Sequence, residues 1–487
     1  MRRRGDTVSA AVSSRRLLAL ALLAGAACSE PAPQELPRPR IVLVVVLDAL
    51  AAGHVSHLGY ERLTTPALDE LARDGVCFEA ALAPAAYTLA SIPSLLTGRL
   101  PDRHGVVEHG LRLAAAETTL AELLRDAGYA TFGAVANSDG GPAFGNDQGF
   151  DELVETYLGP GRPGEETIGR LGRMVHLSRA DEFPPLVRAR LDRLARDERL
   201  FLYLHVLEPH SPYDPPRELL ELFRTGPGAG PAQAPERAWV QARLREGRRD
   251  AQTIAALVRL YDANVRWADD HLALFLDELR ARGLYDEALI VVTSDHGEAF
   301  FEHGRGGHGH QLFEEALRVP LVVKLPAGRG PRGARVAELV STLDVLPSLR
   351  DWLDLGAGAG DVDGLSLAGL VDGSASGLGR DELLLRADEE SGLFALRERD
   401  AKAIVHLARG ANGGLAAAGV ELYDLRDDPA EREDLARRDP ERSAALARRV
   451  LAAIGALDGS PRAEAGSRPA ADVELMQRLG YTGAGGD

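Results

Sequence analysis

Positive charge is what this sequence has too little of. Its 56 lysines and arginines face 73 aspartates and glutamates, a formal net charge of −17. A nucleic-acid binder would normally present a basic face, so no nucleic-acid partner is expected. An anionic small substrate is still admissible, because local cations can attract anions inside an acidic protein. Cysteine is also scarce: only Cys28 and Cys77 occur in 487 residues. No disulfide framework is therefore expected, and Cys77, in Gly75-Val76-Cys77-Phe78, reads as a buried free thiol. Aromatic residues are 5% of the chain while apolar residues are 45%, which predicts a sizeable, mainly aliphatic core. No apolar run has the length of a membrane-spanning helix, and no internal repeat is visible.

What is present begins with an export signal. Arg2, Arg3, Arg4, Arg15 and Arg16 precede the short apolar run Leu17–Leu23, and small residues then lead into Cys28. This pattern reads as a bacterial secretory signal over residues 1–27, with Cys28 as the lipidated first residue of a lipoprotein. Gly25 stands where a large aliphatic residue is usual before such a cysteine, so plain cleavage and secretion is the alternative. Residues 28–40, rich in proline and polar groups, suit a surface tether. The expected location is the bacterial cell envelope, with the membrane reached through the lipid alone.

Along the remainder, strand-like runs alternate with helical ones. Ile41–Leu47, Ala130–Ala136, Leu200–Leu207, Ala288–Val292 and Val319–Leu325 read as strands. Pro66–Asp74, Thr118–Arg125 and Thr253–Arg282 read as helices stopped by glycine. The alternation predicts an α/β fold with a doubly wound, mostly parallel sheet. It is placed at 41–355, with inserted material between Gly159 and Asp250 that includes a loop at Gly226–Pro235. Residues 356–380, rich in Gly, Ala and Asp, read as a linker. Over 381–487, strands near Leu383–Arg386, Leu393–Arg397, Ala403–Leu407 and Val420–Leu425 precede a helix around Pro440–Leu457. That pattern suits a smaller C-terminal α+β domain with an antiparallel sheet.

The chemistry gathers at strand ends. Thr293-Ser294-Asp295-His296-Gly297-Glu298 follows an apolar strand, placing a carboxylate and an imidazole at the edge where open α/β sheets bind ligands. Asp48 ends the first strand. If these strands are neighbours, Asp48, Asp295 and His296 converge on one divalent cation. All-oxygen ligation would favour calcium or magnesium, and the imidazole shifts the preference to manganese or zinc with calcium still admissible. Thr88, followed by Ser91, reads as a helix N-cap. A hydroxyl at a helix N-terminus, bound to a metal, is suited to attack a phosphoryl or sulfuryl centre. His210, in Glu208-Pro209-His210-Ser211-Pro212, follows another strand and could face a substrate oxyanion. His303, His308 and His310 lie in a glycine-rich loop. With Asp214 they are the candidate ligands of a second metal. His54, His57, His104 and His406 read as structural or solvated.

These pieces together resemble the sulfatase family of the alkaline-phosphatase superfamily over nearly all of the chain after the signal. The resemblance runs through Thr65-Pro66-Ala67-Leu68-Asp69, Ser94-Leu95-Leu96-Thr97-Gly98-Arg99 and Pro209-His210-Ser211-Pro212-Tyr213. It continues through Ser294-Asp295-His296-Gly297-Glu298, Leu317-Arg318-Val319-Pro320 and Glu421-Leu422-Tyr423-Asp424-Leu425. It implies metal ligation by Asp48, Asp295, His296 and the nucleophile Thr88, with catalytic and substrate contacts from His210 and His308. The pattern also departs from the family. The formylglycine motif Cys-x-Pro-x-Arg is replaced by Thr88, Ala90 and Ile92, and the second Asp after the first strand is Ala49. The family's lysine after Tyr129 falls near Ala136, leaving Asn137 as a candidate substrate contact. A sulfated threonine cannot expel sulfate as a formylglycine hydrate does, whereas a phosphorylated one is hydrolysed beside a metal. The resemblance therefore implies a hydrolase of sulfate or phosphate and phosphonate esters, the latter favoured, acting on a small molecule or glycan. The alternatives are a sulfatase proper and a lipid-tethered pseudoenzyme that binds anionic glycans.

Overall fold

The computed structural model describes residues 38–158, 168–170, 173–175, 178–224, 236–356, 361–388, 390–409, 415–457 and 463–465. The signal, Cys28, the tether up to residue 37 and the loop Gly226–Pro235 lie outside the described residues.

Eight strands make the large sheet. In chain order they are β1 (Ile41–Leu47), β2 (Val76–Leu82), β3 (Tyr129–Val135), β4 (Glu152–Glu155), β5 (Arg199–Val206), β6 (Leu289–Thr293), β7 (Arg318–Lys324) and β8 (Ala334–Ser341). Their spatial order is β8-β2-β7-β6-β1-β5-β3-β4. All neighbours run parallel except those of β7, which is antiparallel to both β2 and β6. The Val319–Leu325 run, expected as a strand, is this exception. It leaves the site edge of the sheet directly after a short helix at Glu314–Leu317, with no crossover to carry it back, so it must run the other way. The edge strands β4 and β8 and the strand β2 escaped the apolar-run reading. In β8, half-exposed and exposed residues alternate over Ala334–Glu338, as an edge strand with one covered face should.

The central strand β1 is buried on both faces. Ile41, Leu43, Val45 and Leu47 enter one aliphatic core with helices α1 (Pro66–Asp74), α4 (Phe183–Asp192) and α5 (Ala251–Ala281). Val42, Val44 and Val46 enter the opposite core with α2 (Thr88–Thr97), α3 (Leu120–Asp126) and α6 (Val345–Trp352). This two-sided burial is why the strand reads as an unbroken apolar run. Cys77 lies in the first core, and burial pushes its thiol up to about 11.

The small antiparallel sheet holds β9 (Glu382–Arg386), β10 (Leu393–Glu398), β11 (Ala401–Arg409) and β12 (Leu415–Asp424), in that order. One face, through Leu383, Leu385, Ala395 and Ile404, packs on Leu82, Leu312, Leu317 and Leu343 of the large domain. The other is covered by α7 (Pro440–Ala456). The segment read as a linker contributes Leu367 and Val371 to the second large core. Its glycines and aspartates hid that short apolar contact.

Candidate active site

Strand register brings the site residues to one level. Val46 of β1 pairs with Thr293 of β6 and with His205 of β5, and His205 pairs with Val135 of β3. Two residues beyond Val46, Thr293 and Val135 come Asp48, Asp295 and Asn137. They therefore stand side by side at the carboxyl edge, where open α/β sheets bind ligands. The convergence expected of Asp48 and Asp295 follows directly from the adjacency of β1 and β6.

Asp48, Asp295 and His296 are buried, and one ligand atom from each lies within 4.8 Å of the others. Nε2 of His296 is 3.7 Å from Oδ1 of Asp48 and 3.5 Å from Oδ2 of Asp295. Those two carboxylate oxygens have no hydrogen-bond partner. A buried ionised oxygen left alone is costly, so the pair facing one imidazole fits a divalent cation. The opposite oxygens are engaged. Oδ1 of Asp295 accepts from the N–H groups of Ala49 and His296 at 3.1 and 3.0 Å. Oδ2 of Asp48 accepts from Nδ2 of Asn137 at 2.7 Å and Nε2 of His205 at 3.1 Å. Nδ1 of His296 donates to the Gly297 carbonyl at 2.8 Å, which leaves the neutral ring's lone pair on Nε2, toward the carboxylates. A Cβ at Gly297 would lie 2.1 Å from the Glu315 carbonyl oxygen, so only glycine admits this close passage between His296 and Glu298. Burial pushes the Asp48 carboxyl up, but the surrounding imidazoles of His210, His205 and His296 and the hydrogen bond from His205 hold it well below the usual carboxylate range.

Thr88 is the first helical residue of α2, and the N-cap is Tyr87. This corrects the expectation that Thr88 caps the helix. Its hydroxyl turns to the cluster instead, with Oγ1 3.2 Å from Nε2 of His296 and 3.3 Å from Nδ2 of Asn137. Ser91, in the same first turn, donates to the Tyr87 carbonyl at 2.9 Å. His210 follows β5 in a turn closed by its own N–H on the Leu207 carbonyl at 2.9 Å, and its Nδ1 donates to the Ser211 carbonyl at 2.5 Å. The ring of His308 is centred 4.9 Å from that of His210 and 4.3 Å from that of His296. Three imidazoles thus cluster beside the Thr88 hydroxyl. Buried Glu298 holds one of them: Oε1 meets Nδ1 of His308 at 3.0 Å, while Oε2 accepts from Tyr213 at 2.7 Å. Burial raises the Glu298 carboxyl, and the imidazoles of His308 and His210 more than reverse that.

Other candidates are not gathered in. Asp214 is paired with Arg237 at 2.9 Å and half exposed. His303 meets Glu315 at 2.7 Å and the Glu431 carbonyl at 3.0 Å, stacked on Phe313. His310 is half-buried and burial pushes its imidazole down. Among the described residues no second group of metal-type ligands forms. His54, His57, His104 and His406 are held by Asp262, Asp69, Ser94 and Glu421. His205 escaped the sequence reading altogether. It lies inside the apolar run Leu200–Leu207, where nothing distinguishes it from a core residue.

Two carboxylates and an imidazole at the carboxyl edge of a mostly parallel sheet, with a hydroxyl at a helix start beside them, define a hydrolytic α/β enzyme. Comparison with known proteins narrows that class. The Sulfatase family model matches residues 40–355, and the chain belongs to the sulfatase family. It is 24% identical to the ulvan-active sulfatase of Formosa agariphila over 65% of this chain and 62% of that one. The chain thus spans less than two thirds of that relative's length. With the choline-sulfatase of Rhizobium meliloti the identity is 26%, over 81% and 82% of the two chains. The fold is shared with a protein solved in complex with its substrate D-glucosamine-2-N,6-O-disulfate. That structure gives a TM-score of 0.69 at 18% identity, over 87% of this chain and 99% of that one. The phosphonate monoester hydrolase of Agrobacterium radiobacter gives a TM-score of 0.67 at 23% identity, over 89% and 100%.

Proposed function

We propose that this sulfatase-family hydrolase cleaves phosphate or phosphonate esters with Thr88 as nucleophile and one divalent cation on Asp48, Asp295 and His296. The observation that carries the reading is the placement of the Thr88 hydroxyl, 3.2 Å from His296 and 3.3 Å from Asn137, beside two orphaned carboxylate oxygens. Manganese or zinc suits the mixed nitrogen and oxygen set, and calcium is the third choice. A cation held there would lower the pKa of the hydroxyl and screen charge on the transferring group.

The chain's own residues do the remainder. Asn137 donates to the hydroxyl oxygen and to Asp48, fixing the nucleophile against the ligand set. With its oxygen held as the alkoxide, Thr88 attacks phosphorus and the bond to the ester oxygen breaks. His308 or His210 protonates the departing alkoxide, with Glu298 holding the His308 ring in place. Water, giving a proton to that same histidine, then attacks phosphorus, and the bond to the Thr88 oxygen breaks, which restores the alkoxide and releases phosphate or phosphonate. The preference for phosphorus rests on this second half: a threonyl sulfate lacks the geminal hydroxyl that lets a formylglycine hydrate expel sulfate.

A second reading, hydrolysis of sulfate esters proper, is favoured by the names of the relatives. Export and lipidation at Cys28 are proposed with either reading, on the arginine-led apolar signal and the small residues before the cysteine. The test is hydrolysis of matched nitrophenyl sulfate, phosphate, phosphodiester and phosphonate esters with added manganese, zinc or calcium, beside Thr88→Ala. Phosphoester turnover lost in the variant supports the proposal. Sulfate turnover lost in it supports the second reading. No turnover on any ester turns the reading toward a binding protein for anionic glycans.

A further inference from the structure

The two carboxylates of the cluster are held in different ways. Asp295 is oriented mainly by main-chain donors, the N–H groups of Ala49 and His296 on Oδ1 at 3.1 and 3.0 Å, with the Ser294 hydroxyl more distant at 3.4 Å. The Ala49 donor is fixed by the turn after β1, where Tyr261 bridges the Ala49 carbonyl and the Ala51 N–H at 2.6 and 2.9 Å. Asp48 is oriented by side chains alone. Both of its donors, Asn137 at 2.7 Å and His205 at 3.1 Å, meet the same oxygen, Oδ2. Oδ1 is left without a partner, 3.7 Å from Nε2 of His296.

His205 is well placed to act as a fixed post. It is fully buried in β5, paired in register with Val46 of β1 and Val135 of β3. Its carbonyl accepts from Ala136 at 2.9 Å. The far edge of its ring is backed by Gly140, where a Cβ would come within 2.5 Å of Nδ1. Because Oδ2 is an acceptor, Nε2 must carry the proton that points at it.

We propose that His205 is a positioning residue for the metal site. Together with Asn137 it occupies Oδ2 of Asp48, so that the carboxylate presents Oδ1 alone and binds a cation through one oxygen. Single-oxygen presentation suits manganese or zinc. A carboxylate free to turn would offer both oxygens, the bidentate mode that calcium accepts readily. His205 would therefore set both the affinity and the selectivity of the site. The inference rests on the reading of Asp48, Asp295 and His296 as metal ligands.

The experiment measures metal binding rather than turnover, so it is independent of the substrate class. Purified wild-type protein, His205→Leu, His205→Gln and Gly140→Ala are titrated calorimetrically with Mn²⁺, Zn²⁺ and Ca²⁺, and each metal-free protein is melted. Loss of an outer partner of a metal ligand typically lowers affinity about 10- to 100-fold. That range is expected for Mn²⁺ and Zn²⁺ in His205→Leu, with a smaller loss for Ca²⁺ and partial recovery in His205→Gln, whose amide can still donate. If His205→Leu does not fold, Gly140→Ala decides. It keeps the imidazole but displaces it, and the same order of losses is expected. Affinities within twofold of wild type in a folded variant, or equal losses for all three metals, overturn the proposal. A wild-type protein that binds none of the metals overturns the site reading on which it rests.

Discussion

Asp48, Asp295 and His296 at the edge of the large sheet, and Lys402, Glu314, Glu431 and Arg397 between the two sheets, are both buried ionic groups. Only the second is internally paired. Nζ of Lys402 lies 3.2 Å from Glu314 and 2.5 Å from Glu431, and Arg397 meets Glu314 at 3.1 Å. Oε2 of Glu431 also accepts the Glu314 N–H at 2.7 Å, at the start of the short helix that leads into β7. In the edge cluster two carboxylate oxygens face one imidazole, with no lysine or arginine paired to them among the described residues. A buried charge must be neutralised or matched. The inner cluster is matched by its own lysine and arginine and joins the small sheet to the segment behind Gly297. The edge cluster has no such lysine or arginine among the described residues, and its two free carboxylate oxygens fit a divalent cation.

The largest expected effect breaks the edge cluster at its reactive atom. Thr88→Ala should lower turnover by at least about 10³-fold, the scale on which losing a nucleophile acts, while metal affinity measured by calorimetry falls far less. An equal fall in both would make Thr88 a ligand only. Next comes the inner cluster. Lys402→Met leaves Glu314 and Glu431 buried beside one arginine, and should destabilise the fold by about 3–5 kcal/mol in urea unfolding. Metal affinity of the folded fraction should stay at the wild-type value. A variant that unfolds like wild type would show that the two clusters differ less than their pairing implies.

Acid should separate the clusters further. Burial pushes the Glu314 carboxyl up, but Lys402 and Arg397 outweigh it and hold it well below the usual glutamate range. Its folded value is thus lower than its unfolded one. The stability it contributes is present above the unfolded value of about 4.3 and is lost as pH falls through the folded value. Glu431 moves the opposite way, pushed up mainly by its burial, so the comparison is confined to Glu314. The stability difference between wild type and Glu314→Gln, from urea melts at stepped pH, should shrink steadily below about pH 4.3. A gap independent of pH would mean that Glu314 is not held as an anion. The smallest effect is at the surface. Arg442 reaches Glu398 at 3.4 Å with both side chains partly exposed, and Arg442→Ala should change stability by less than about 1 kcal/mol.

Much of the edge cluster was legible in advance because strand ends are legible. Asp48 closes a seven-residue apolar run, and Asp295 and His296 follow another. His210 follows the same principle, just beyond a strand, whereas Asn137 is reached through the resemblance, beside the position of the family's lysine. His205 was not, because a histidine inside an apolar strand carries no local sign of its partner. Its distance from Asp48 is fixed only when β1 and β5 lie side by side. Thr88 was legible as a residue at a helix start but was misplaced by one position, because the choice between Tyr87 and Thr88 as N-cap depends on where the hydroxyl is drawn. The reversed direction of β7 was hidden for a similar reason, since a buried apolar run has the same composition in either direction.

Periodicity and strand-end chemistry in the sequence were enough to determine the α/β class, the antiparallel C-terminal sheet and the placement of Asp48, Asp295 and His296 at strand ends, because these depend on local pattern. Tertiary structure alone decided which oxygen of each carboxylate is engaged and which has no hydrogen-bond partner. It also decided that Lys402 completes the inner cluster. Those outcomes are set by contacts between residues far apart in the chain, where register and packing, not local propensity, fix the geometry.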